Sequence, residues 1–84
     1  MDIEVGKFYL AENNHIVKVV GQLNNRYQVY GPFYHHYFVD KNGIAENNEY
    51  NNDLMKEINK ALIYQRIYEL LDEIRNINRV LSYE

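Results

Sequence analysis

The chain has no cysteine, no tryptophan, no threonine, one serine and one proline. Without Cys no disulfide can staple the fold, and a reducing compartment is the natural expectation. Ser82 is the only serine and sits at the end of a helical pattern, so no Ser-His-Asp set can be assembled. The soft metal ligands are His15, His35 and His36 alone. Adjacent residues on a strand point to opposite faces, so His35 and His36 cannot share one ion, and no metal is expected. Positive charge is also scarce: 9 Lys and Arg stand against 12 Asp and Glu, for a net charge of −3 and no basic block. An electrostatic grip on nucleic acid is therefore disfavoured. Gly21, Gly31 and Gly43 lie far apart as separate turns, which leaves no phosphate loop. Glu4, Glu12, Asp40, Glu46 and Glu49 are scattered without the spacing of a general acid–base pair. The chain reads as a non-enzyme with no cofactor. No apolar run approaches the roughly 18–20 residues of a membrane span, and Met1-Asp2-Ile3-Glu4 lacks a signal-peptide core. The expectation is a soluble, cytoplasmic protein with no membrane partner.

What the chain does hold is nine Tyr and twelve Asn in 84 residues. That length makes one small domain, 1–84, in the range where a lone core is marginal. With disulfides and metal excluded, oligomerisation is the remaining staple. The first fifty residues alternate short β-branched or aromatic runs with turn signals. Val5–Leu10, His15–Val20, Arg26–Tyr30 and Phe33–Val39 read as strands, with Ile44-Ala45-Glu46 as a short return. Asn13-Asn14, Asn24-Asn25 and Asp40-Lys41-Asn42-Gly43 are the turns between them. The expected fold is α+β: a small bent antiparallel sheet or SH3-like barrel of four to five strands over residues 1–50, followed by one long C-terminal helix over 53–82.

The helix is the strongest signal. Ile63, Ile67, Leu70, Ile74, Ile77 and Leu81 follow a 4-3-4-3-4 spacing, the rhythm of a seam facing another helix. Asn51-Asn52-Asp53 supplies N-cap candidates, and Leu54, Ile58, Ala61 and Leu62 form a stripe directed at the sheet. A helix from Asp53 to Leu81 would span roughly 40–45 Å, against about 25 Å for a fifty-residue globule. Its own sheet cannot cover it, unless it folds back entirely, which is the bland alternative. Ile63, Ile67, Leu70, Leu71, Ile74, Ile77 and Leu81 are thus the expected self-association face, for a homodimer or tetramer. Leu71 at e and Val80 at g widen the face, and an antiparallel pair or a four-helix bundle fits as well as a parallel coil.

The aromatic residues are the second lead. Tyr27, Tyr30, Phe33, Tyr34, Tyr37 and Phe38 fall on two consecutive strands, too many for so small a core. Tyr packs its ring at an interface while its hydroxyl stays bonded. Arg26, Tyr30, Tyr34 and Tyr37 are the expected partner-binding residues, with ordinary cross-strand pairing as the plain alternative.

Val5-Gly6-Lys7-Phe8-Tyr9-Leu10, Val17-Lys18-Val19-Val20-Gly21, Arg26-Tyr27-Gln28-Val29-Tyr30-Gly31, Tyr37-Phe38-Val39-Asp40, Asn42-Gly43 and Asp53-Leu54 with Glu57 resemble the small uncharacterised β-proteins of phages and prophages. The resemblance covers residues 3–58, transfers no catalytic residue, and does not extend to the heptad helix. It implies a phage-encoded accessory protein or inhibitor that binds a host protein or defence complex in the host cytoplasm. The competing function class is a sequestering module holding a nucleotide or small ligand between stacked Tyr rings, with Arg26 or Lys18 as its cation.

Overall fold

The structure, a computed structural model, describes residues 1–32, 35–47 and 49–83. Five strands precede one helix: β1 (Phe8–Ala11), β2 (Ile16–Leu23), β3 (Arg26–Gly31), β4 (His35–Val39), β5 (Leu54–Ile58) and α1 (Lys60–Leu81). The strands form one antiparallel sheet in the order β4-β3-β2-β1-β5. The α+β arrangement is as expected, but the sheet does not close into a barrel: β4 and β5 are its two edges.

Period-two alternation makes the core. Tyr9 and Ala11, Val17 and Val19, Val29, and Val39 are buried on one face, joined by Ile3, Ala45 and Leu54. The fully buried Tyr9 ring carries its polar tip to the N-terminal segment, accepting from the Glu4 N–H at 2.9 Å and donating to the Asp2 carbonyl at 3.2 Å. The Asn turns fold as their chemistry suggests, with Asn14 at φ 69° and Asn24 at φ 56°. Register shifts at Val19/Gly21 between β2 and β3, and at Leu10/Ala11 between β1 and β5, bend the sheet.

Two sequence expectations are corrected. Residues 54–58 are not the first turns of the helix but the edge strand β5, with Phe8 opposite Ile58, Leu10 opposite Lys56 and Ala11 opposite Leu54. Helix propensities differ by only tenths of a kcal/mol among such residues. Pairing with β1 satisfies a row of backbone groups and buries Leu54, which outweighs them. Ile44-Ala45-Glu46 is not a strand either: it contributes a single bridge, Val39 to Ala45.

The helix therefore starts seven residues later than Asp53. Its N-cap is Asn59, in extended conformation, whose side-chain oxygen accepts from the Leu62 N–H at 3.0 Å. Asp53 instead accepts from the Ala45 N–H at 2.7 Å. Twenty-two residues of α1 reach roughly 33 Å at 1.5 Å per residue. The whole molecule measures 59 × 27 × 18 Å, and no described residue of α1 is buried. The helix leaves the sheet instead of lying across it. Leu62 is exposed, so the stripe expected to cover the sheet does not do so. Among the described residues no helix is long and apolar enough to cross a membrane.

Candidate functional site

Two surfaces stand out, the bare helix and the outward face of the sheet. At 100° per residue, Ile67, Leu70, Ile74, Ile77 and Leu81 all lie within about 40° of Ile63 around the helix. Tyr64 and Leu71 flank this seam on one side, at roughly 80–100°, and Leu62 and Val80 on the other at about the same angle. The apolar face is wider than the narrow stripe of a two-stranded coil. Gln65, Asp72, Asn76 and Arg79 take the opposite side. Exposure rises toward the free end, to 75% at Val80 and 77% at Leu81. Arg66 with Glu69 (3.4 Å) and Arg75 with Asp72 (3.9 Å) are exposed i,i+3 pairs, of little energetic weight.

At its base the seam runs onto the sheet. One cleft brings Ile63 together with Phe8, Ile16, Lys18, Tyr30 and Pro32. A second lies between the flank residues Leu62 and Arg66 and the sheet residues Leu10, Ile16, Lys56 and Ile58.

The four expected partner-binding residues do not form one free surface. Arg26 is engaged within the chain. Its guanidinium stands 3.9 Å from the Phe38 ring centre and forms a double hydrogen bond with the Glu46 carboxylate, Nη2 to Oε2 at 2.9 Å. The hydrogen bond it donates to Glu46 raises its pKa further. Tyr37 belongs to the core face: it stands opposite Val29, packs against the buried cluster, and its hydroxyl donates to the Asn52 carbonyl at 3.0 Å. Tyr30 is half exposed on the outward face, its ring 5.4 Å from that of His36. Tyr34 lies outside the described residues. The alternation of β3 and β4 thus puts Arg26, Gln28, Tyr30, His36 and Phe38 on one side, and Tyr27, Val29, Tyr37 and Val39 on the other.

Phe8 is the contributor that sequence reasoning missed; it joins Lys18, which the sequence offered as a cation beside stacked rings. The Lys18 ammonium sits 5.4 Å from the Phe8 ring centre, beside Tyr30. The signal was the outward parity of Lys18 between Val17 and Val19, but the antiparallel pairing of Phe8 with Lys18 is a tertiary fact. Lys7 ties the N-terminal turn to β5, bonding Glu4 at 2.6 Å and Glu57 at 3.3 Å. The hydrogen bond to Glu4, then that to Glu57, holds its pKa above the ordinary value. Among the described residues no three His, Asp or Glu side chains come together as a metal set. Compared with known proteins, the chain matches no family model, no curated protein and no solved structure.

Proposed function

We propose that the protein is a small self-assembling protein-binding module, in which α1 joins copies and the outward sheet face receives a partner. The observation that carries this reading is an unbroken heptad seam on a helix with no buried residue. Water-exposed apolar residues in this density are rare on a stable monomer and mark an interaction site. The resemblance of residues 3–58 to phage β-proteins supports a setting: an accessory protein or inhibitor that binds a host protein or defence complex in the host cytoplasm. Sedimentation equilibrium at micromolar concentration tests the assembly. A multiple of the 10.1 kDa chain mass is expected, and the chain mass itself overturns the reading.

A second reading, a site for a nucleotide or other small anion with an aromatic base, is favoured by one observation. Phe8, Tyr30 and Lys18 line the same open cleft, two rings and a cation. Its binding would weaken steeply with salt, whereas an apolar protein contact would not.

A further inference from the structure

We infer that the occupant of the bare helix face is a second copy running antiparallel, staggered so that Arg66 meets Glu73 of that copy and its last turn lies on the sheet cleft at the helix base. This rests on the self-assembly reading and specifies its geometry.

The heptad allows antiparallel registers seven residues apart, each matching a positions with d positions. Full overlap, with Ile63 opposite Leu81, puts the two Glu73 carboxylates against each other beside the two-fold axis. Sliding one heptad puts Ile63 opposite Ile74 and Ile67 opposite Leu70. Arg66 then faces Glu73 of the second copy, twice by symmetry, and Tyr64 covers Leu71. A parallel pair gains neither contact, because Arg66 would face Leu71 and Glu73 would face Asn78. Charge complementarity selects the staggered antiparallel register.

The stagger also accounts for the ends of the helix. Ile77, Val80 and Leu81 of the second copy run past Ile63 to the level of Asn59 and beyond. There the cleft of Leu10, Ile16, Ile58 and Leu62 continues the apolar surface. Val80, on the same flank as Arg66, meets that cleft. In a parallel pair the cleft stays open, Leu81 meets only its own copy, and Val80, at g, gains no place on that cleft. A parallel pair also brings both sheets to one end, and Asn59 is the only residue between β5 and α1 to hold them apart.

Charge reversal tests the register. Arg66→Glu and Glu73→Arg should each weaken self-association on the order of tenfold. The double variant, and an equimolar mixture of the two single variants, should restore it. A chain without cysteine also accepts a single nitroxide at Ser82→Cys. Pulsed electron resonance should give a distance between copies of about 40 Å in the staggered antiparallel pair, against one close to the 8–10 Å interaxial spacing in a parallel one. Assembly that persists with a short distance, or that ignores charge reversal, overturns the register and leaves self-assembly standing. A wild-type monomer overturns both.

Discussion

Gly43 and Leu54 lie against each other at the point where the two ends of the sheet are drawn together. The Leu54 N–H donates to the Gly43 carbonyl at 2.8 Å, and a β-carbon on Gly43 would stand 3.0 Å from that of Leu54. Gly43 also holds φ at +82°, a conformation that L side chains rarely adopt. Gly43→Ala should therefore destabilise the fold by roughly 1–3 kcal/mol, from backbone strain and the displaced Leu54 together. Urea unfolding measures it, and an unchanged midpoint would show that the turn can shift without loss.

That turn was among the most legible parts of the sequence. Asp40 caps it, its Oδ1 accepting from the N–H groups of Asn42 and Ile44 at 2.8 and 3.0 Å. The strand parity and the heptad from Ile63 onward were equally plain, because both are local periodicities. Leu54–Ile58 was not, since Leu54 and Ile58 are four apart, which suits a helix turn as well as a strand. The deciding contact is β1, more than forty residues back in the chain. At the candidate site the same limit applied. Arg26 looked available because nothing local reveals Glu46, twenty residues on, as its partner. Tyr37 looked like contact surface because the parity of β4 is fixed only by its pairing with β3.

The start of the helix is open to a direct check at Asn59. Removing the side chain takes away the closer acceptor of the Leu62 N–H, at 3.0 Å, and leaves it only the Asn59 carbonyl at 3.2 Å. Asn59→Ala should lower stability by about 1 kcal/mol and reduce helical circular dichroism. Asn51→Ala should leave the helical signal intact, because residue 51 precedes β5.

Lys7 gives the pH dependence. Its folded pKa is raised by Glu4 and Glu57, so the stabilisation is fully present below the ordinary lysine value. It is lost as pH climbs through the raised value, above about pH 10.4. The contribution is read as a difference between variant and wild type. Lys7→Met should flatten the alkaline fall in melting temperature relative to the wild type, and identical slopes would remove the assignment.

Replacing Leu70 and Ile74 together by Glu addresses the helix. Neither is buried within one chain, so the monomer fold should survive with its sheet signal unchanged. Buried in a seam, the new carboxylates would be unpaired, at several kcal/mol each. The variant should sediment as a monomer, and a stable oligomer after this double change would place the contact elsewhere.

The sheet is tested by two tyrosines that alternation separates. Tyr37 packs on the core and bonds the Asn52 carbonyl, so Tyr37→Ala should cost about 3 kcal/mol of stability. Tyr30 is half exposed and faces the opposite way. Its replacement by Ala should change stability by less than about 1 kcal/mol, yet weaken partner binding on the order of 2 kcal/mol if its ring anchors the contact. Thermal melting and partner capture on the same two variants separate the roles. Capture unchanged by Tyr30→Ala would remove the outward face of β3 as the partner surface. The side of α1 that carries Tyr68 and Arg75, opposite the seam, would then be the next surface to test.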